Sequence, residues 1–235
     1  MIQVYSWTTP NGHKVHIMLE EIGLEYEAHP VNIGAGDQFA PEFLEISPNN
    51  KIPAIVDDDG PDGKPLALAE SGAILIYLAD KTGRFFPTGP REHYATLQWL
   101  MFQMGHIGPM LGQAHHYRGY AKTRLSYGIE RYTQEANRLY GVLDERLAKS
   151  EYVAGADYTI ADIAIFPWLR SHASHGVDPE DYPHVQRWFD KIAVRPAVKR
   201  GLEVLARERA AAKDDSASHE NLFGDRQFRR GRGGA

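Results

Sequence analysis

Apolar and polar positions follow two different rhythms along this chain, and the change falls near residue 90. The run "IQVYSW" (2–7), with its β-branched and aromatic residues, predicts a short strand, and "NGHKVHIMLEEIG" after it places Val15, Met18, Leu19 and Ile22 on one helical face. Gly23 is the expected stop of that helix. A second strand is predicted at "YEAHPVNI", followed by a polar, Gly-containing loop and a short helix around "PEFLEISP". "IPAIVD" and "PLALAE" are two apolar strands around the turn-rich "DDGPDGK", a hairpin pattern. "SGAILIYLADKTG" predicts a helix opened by Ser71 and stopped by Gly83. The order β-α-β-(α)-β-β-α over residues 1–83 fits a small mixed sheet covered by helices.

Residues 84–91 form a Pro/Gly-rich link, and from residue 92 to 212 only helical periods remain, which predicts a separate all-helical domain. "YTIADI" carries its own folding signal. Thr159 is placed to cap a helix with Asp162 reaching back from the third helical position, and Tyr158 and Ile163 form an apolar staple. Asp162 therefore reads as structural. "GPMLGQAHHY" is Gly-rich for a helix and predicts a break or bend bordering a cleft. Residues 213–235 are polar and Gly/Arg-rich, the pattern of a flexible tail whose arginines from Arg226 to Arg232 are solvated. Within it, "ENLFGDRQF" offers Leu222, Phe223 and Phe228 for packing across a cleft or a partner subunit.

Composition narrows the function. At 235 residues and 43% hydrophobic content the chain can bury full cores. A formal charge of -5 argues against a general nucleic-acid role. No run reaches the roughly 18 apolar residues of a membrane span, and the chain starts on a strand rather than a signal peptide, so a cytoplasmic protein is expected. The absence of cysteine matters most: it excludes disulfides, thiolate metal sites and a protein thiol, so any sulfur chemistry must arrive with a ligand.

Three places could receive such a ligand. The turn Thr8-Thr9-Pro10-Asn11-Gly12 lies between the first strand and helix, where backbone N–H groups and the helix N-terminus favour anions. It suits a thiolate, though Thr and Asn there are equally consistent with a helix cap and nothing more. Lowering a thiol from its ordinary value near ~8.5 by one unit needs about 1.4 kcal/mol of preferential thiolate stabilisation. Second, Pro53 opens a strand; it is either an edge-strand proline or, in a cis bond, one that turns the backbone groups of Ile52 outward to a ligand. Third, Glu70 ends a strand and Ser71 begins a helix whose N-terminus can bind a carboxylate, leaving Glu70 for an ammonium; plain capping is the simpler reading. An amino-acid head, a peptide middle and a thiol together describe glutathione.

"TTPNGHK", "SPNNKIPAIVD", "ESGAILIYLA", "LQWL", "GPMLGQAHH" and "YTIADIA" resemble the glutathione transferase superfamily, in particular its bacterial nu class, which groups with glutathione-dependent disulfide reductases and yeast prion-type nitrogen regulators. The resemblance spans nearly residues 1 to 205. It implies a thioredoxin-like N-terminal domain followed by an all-α C-terminal domain, a homodimer, and a cleft between domains. It places Thr9 and Asn11 by the sulfur, Gln38, Lys51 and Ile52 along the peptide, and Glu70 and Ser71 at the γ-glutamyl head. Arg131 in "IERY" resembles a family arginine that reaches glutathione from the helical domain; a helix-surface salt bridge is its simpler role. Tyr5 and Ser6, hydroxyls of the type other classes use, fall in the strand, and Tyr5 reads as core. His13 and Lys14 are expected to be solvated. Trp99, Phe102, Tyr117 and Tyr120 either line an acceptor pocket or pack between helices. His106, His115, His116, His172 and His175 do not complete a metal spacing, so no metal is expected. The leading expectation is disulfide reduction by bound glutathione, with conjugation of electrophiles and a non-catalytic glutathione-binding regulator as alternatives.

Overall fold

The computed structural model describes residues 1–212 and 216–228. Strand β1 (Ile2–Ser6) pairs in parallel with β2 (Tyr26–Pro30) and antiparallel with β3 (Ala54–Asp57), which pairs antiparallel with β4 (Leu66–Ala69), giving the order β2-β1-β3-β4. Side chains alternate across the pleat. Val4 and Ile55 therefore enter the main core, where they are fully buried, whereas Tyr5 and Ala54 join a smaller cluster with Phe43 on the opposite face. Helices α1 (Pro10–Ile22) and α3 (Ser71–Thr82) belong to the main core, and α2 (Pro41–Ile46) carries Phe43 to the smaller cluster.

Local signals account for the helix ends. Pro10 occupies the first helical position of α1, where its missing N–H costs nothing. Gly23 and Gly83 end α1 and α3 in the left-handed region, their N–H groups bonded to Leu19 and Ala79. Gly12 answers a close approach instead, because a Cβ there would stand 2.1 Å from the Trp7 carbonyl oxygen.

From Pro90 onward the described residues are helical: α4 (Pro90–Phe102), α5 (Gly108–His115), α6 (Ser126–Leu147), α7 (Ile160–Leu169), α8 (His172–His175), α9 (Pro183–Ala193), α10 (Pro196–Glu203) and α11 (Ala206–Ala211). All of α7 except Trp168 is buried, and α1 packs on α7, α10 and α3, so one apolar core runs from the sheet into the helices. The start of α7 is fixed as its sequence predicts. Thr159 Oγ1 accepts the Ala161 N–H, and the Asp162 carboxylate accepts from Thr159 N, Thr159 Oγ1, Val153 N and Trp188 Nε1 at 2.9–3.1 Å. The fold is thus a thioredoxin-like mixed sheet with its helices, followed by an all-α domain.

The end of the chain departs from expectation. Instead of a flexible tail, Ser216–Phe223 forms helix α12 and Asp225–Phe228 a further turn. Polar composition misleads here because the polar groups find distant partners. Asn221 Nδ2 donates to the Gly34 carbonyl at 2.8 Å, His219 Nε2 meets the Tyr120 carbonyl at 2.9 Å, and Phe223 packs against His116 and Tyr120. The side chain of Phe228 and the arginines Arg229, Arg230 and Arg232 lie outside the described residues.

Candidate functional site

The strand register brings the predicted elements to one edge of the sheet. Tyr5 stands opposite Ala54, and Ala54 opposite Ala69. The turn that leaves β1, the Ile52-Pro53 pair that enters β3 and the Glu70-Ser71 pair that leaves β4 are therefore neighbours in space. The loop after β2 joins them, its Val31 N–H bonded to the Ser6 carbonyl at 2.8 Å. The N-termini of α1 and α3 both lie at this edge, a combined partial positive charge from unpaired backbone N–H groups.

Beside this edge lies a cleft of about 610 Å³. Trp7, Thr8, Thr9 and Pro10 line it from the sheet, Gly112, His115, His116, Tyr120 and Trp168 from the helices, and His219, Leu222 and Phe223 from α12. Thr9 is the N-cap of α1: its backbone is extended (φ −121°, ψ 164°) and its Oγ1 accepts the Gly12 N–H at 3.2 Å. An accepting hydroxyl keeps its own hydrogen to donate. Thr8 Oγ1 is buried here and has no hydrogen-bond partner among the described residues. Asn11, one position into the helix, is not in the cleft wall; its Oδ1 accepts from Trp168 Nε1 at 3.1 Å and ties the turn to α7.

The Ile52-Pro53 bond is cis. Glu70 has φ 70° and ψ 109°, in the region that favours glycine, and holding a side-chain-bearing residue there costs about 1–3 kcal/mol. That conformation turns the chain from β4 into α3 in one residue and leaves Ser71, 4% exposed, at the first helical position.

Beneath Ser71 sits Lys14, and the solvation expected for His13 and Lys14 is overturned: they are 7% and 1% exposed. Helices α3, α7 and α10 all pack on α1, so its second turn faces protein rather than water. Lys14 Nζ donates to Gln103 Oε1 at 2.7 Å and to Ser71 Oγ at 3.3 Å. Burial pulls the Lys14 ammonium down to about 7, with the Glu70 carboxylate opposing the shift. Burial likewise lowers His13 to about 4, aided by the Arg170 charge, and His16 to about 3, aided by His13. Both imidazoles are neutral at pH 7, so His13 adds no positive potential.

Gln38 and Lys51 meet the C-terminal segment. Gln38, 2% exposed, donates from Nε2 to the carbonyls of Ile33 (3.2 Å) and Asn221 (3.3 Å), and Lys51 Nζ donates to Gln227 Oε1 at 2.6 Å. The segment thus covers these two residues, while its Leu222 and Phe223 reach the cleft. Arg131 is not brought to the same place: with Met110, Tyr127, Glu135 and Arg138 it lines a separate groove of about 520 Å³. Tyr5 stacks on His29 at 4.9 Å in the small core cluster.

Among the aromatics considered for an acceptor pocket, only Tyr120 reaches the cleft. Trp99 and Phe102 pack on each other and the core, and Tyr117 stacks on Tyr132. The predicted bend does occur, as π-helical turns at Gln103–Ile107 and His116–Tyr120 on either side of α5. Among the described residues no group of three or more His, Asp or Glu is placed to hold a metal ion. Sequence reasoning missed Trp168, Asn221 and Gln227.

Residues 8–81 match the glutathione S-transferase N-terminal domain and residues 129–196 the glutathione S-transferase C-terminal domain. The disulfide-bond oxidoreductase YfcG of Escherichia coli K12 is 52% identical over 203 residues, 86% of this chain and 94% of that protein. Among solved structures, a glutathione transferase from Burkholderia graminis with two glutathione molecules bound per subunit is 50% identical with a TM-score of 0.82, covering 86% of this chain and 87% of its own. One from Pseudomonas putida, with one glutathione disulfide bound per subunit, is 48% identical with a TM-score of 0.82, covering 86% and 91%.

Proposed function

The chain belongs to the glutathione S-transferase family, and on that premise we propose that it is a glutathione-dependent disulfide-bond reductase whose working thiol is supplied entirely by its substrate. The observation that carries this reading is the turn Thr8–Asn11: a cysteine-free strand-to-helix turn whose Thr8 and Thr9 line a cleft of the size used for small molecules. Thr9 donates its remaining hydrogen to the glutathione sulfur, and the buried Thr8 hydroxyl provides a second donor. The N-terminus of α1 adds its partial positive charge. Asn11 holds the turn against Trp168 and presents its amide N–H beside the sulfur. Ser71 and the start of α3 receive the γ-glutamyl carboxylate, Glu70 the ammonium, and Ile52 the peptide backbone, with Gln38 and Lys51 at the glycyl end.

In the reaction, the bound glutathione thiolate attacks one sulfur of a disulfide R–S–S–R′. A new S–S bond forms, the old one breaks, and R′S⁻ leaves and takes a proton. A second glutathione thiolate then attacks the glutathione sulfur of the mixed disulfide, releasing RS⁻ and glutathione disulfide. The sum is one disulfide reduced and two glutathiones oxidised. The protein's contribution is thiolate stabilisation and alignment of the sulfurs. The relatives that bind two glutathiones or one glutathione disulfide support this two-thiol sequence, since those are its reactant and product states.

We further read the protein as a homodimer. Arg131 lines a groove distinct from the cleft, so a role for it toward glutathione requires the groove of one copy to face the site of another. The test of the function is glutathione-coupled reduction of a small disulfide, run beside conjugation to an aromatic halide. Faster disulfide turnover is expected. Conjugation alone would identify a detoxifying transferase, and bound glutathione with neither reaction would identify a binding protein.

A further inference from the structure

Lys14 is a fully buried lysine that the reaction just described does not use. Its ammonium has neutral partners only: Gln103 Oε1 at 2.7 Å, Ser71 Oγ at 3.3 Å and Met104 Sδ at 3.7 Å. None of the ion pairs found among the described residues includes it. A buried cation without an anion is costly and is ordinarily paired. Gln103 is itself completely buried in a π-helical turn, and its amide nitrogen has no partner among the described residues, so its carbonyl is committed to Lys14. The chain thus spends two buried polar side chains, one from each domain, to hold a positive charge under the first residue of α3.

We propose that Lys14 is a positioning residue for the γ-glutamyl carboxylate: by donating to Ser71 Oγ from beneath, it leaves the Ser71 hydroxyl hydrogen, whose contact within the chain is the long one to Met104 Sδ at 4.0 Å, to turn to the ligand, and supplies the counter-charge the bound carboxylate completes. The inference rests on glutathione occupying this edge of the sheet. It adds a buried cation, acting through Ser71, to the donors at the helix N-terminus. The consequence is that binding and protonation are linked. Around Lys14, Glu70 is the negative group whose field reaches it; His13 and His16 on its own helix are neutral. Asp162 of α7 is spent on its four donors, and Arg195 and Arg200 beside α10 are paired with Glu21 and Glu20. The ammonium, pulled down to about 7 without an anion, is raised when a carboxylate arrives. Affinity is then level below pH 7 and falls as the pH rises, because the free protein gives up the proton that the complex needs.

The experiment uses S-methylglutathione, whose blocked thiol removes sulfur ionisation, and its analogue with the γ-glutamyl α-carboxylate converted to the amide. Calorimetric titration of the full chain in buffers of different ionisation enthalpy at pH 7, where both ligands are mainly in the ammonium form, is expected to show uptake of about half a proton with the carboxylate ligand and much less with the amide. Affinity for the carboxylate ligand is expected to fall about tenfold between pH 6 and 8. In Lys14→Met that ligand binds at least about tenfold more weakly at pH 6 and the pH dependence disappears, while the amide binds both proteins within about twofold. Equal weakening of both ligands in Lys14→Met, or no proton uptake by the unsubstituted chain, overturns the proposal. Because the unsubstituted chain is measured without mutation, a Lys14→Met protein that fails to fold leaves the proton test intact. Failure of the unsubstituted chain to bind either ligand is a different result, and removes glutathione from the site altogether.

Discussion

The two walls of the cleft are built by opposite means. The sheet-side wall is the turn into α1, with a Thr9 cap and a proline at the first helical position, and a glycine drawn against a carbonyl just behind it. The facing wall is side chains brought from far apart, with Trp168 from α7, Tyr120 from the second π-helical turn, and Phe223 from a segment about a hundred residues further along the chain than Tyr120. On the proposed function the first wall is the one that holds glutathione, and the second, whose residues can change without disturbing the sheet, is the one left to meet the other substrate.

The strongest way to break the comparison is to remove the frame of the second wall. Asp162→Ala leaves the Trp188, Val153 and Thr159 donors buried without an acceptor, and a loss of at least about 3 kcal/mol is expected in urea unfolding. A loss below 1 kcal/mol would show that α7 is held by packing alone.

Acid acts on the first wall. His13 and His16 are neutral in the fold, at about 4 and about 3, and take up protons more readily when unfolded, near the ordinary 6.5. The unfolded chain binds the extra protons, so stability is full above pH 6.5 and falls as the pH drops toward 4, by about 2 kcal/mol for each histidine at pH 5. His16→Asn would about halve that dependence in thermal melts across this range.

Smaller changes separate the walls further. Asn11→Ala removes the Trp168 bond and the side-chain N–H that the proposed function gives to the sulfur; we expect disulfide turnover to slow about tenfold with a modest change in glutathione affinity. The gentlest change ends the chain at Ala212, which removes the roof over Gln38 and Lys51. The KM for the disulfide, and that for glutathione through Gln38 and Lys51, are expected to change by about three- to tenfold, with the ionisation of bound glutathione unchanged. Unchanged kinetics throughout would mean that α12 is no part of the working site.

What the sequence disclosed follows the same division. The stops at Gly23 and Gly83, the Thr159–Asp162 capping box and the β-α-β order are local in origin, and each was legible because neighbours along the chain determine it. The edge that gathers Thr9, Ile52 and Ser71 was reachable through the family resemblance, and the strand register supplies its physical basis. Lys14 was not legible. A lysine in the first turns of an amphipathic helix looks solvated, and only the packing of α3, α7 and α10 around α1 makes it a buried charge. Of the C-terminal segment, the packing of Leu222 and Phe223 at the cleft was legible from their apolar character, but its helical order was not, since its polar residues are satisfied by Gly34, Gln38 and Tyr120, far away in sequence.

On the proposed function the turn Thr8–Asn11 holds a borrowed thiol as its thiolate. Because the chain has no cysteine, the ultraviolet absorbance of thiolate in the complex reports the ligand alone. Titrating bound glutathione against pH is expected to place its sulfur at least about one unit below the ordinary value near 8.5. A bound thiol that ionises where free glutathione does would contradict the account.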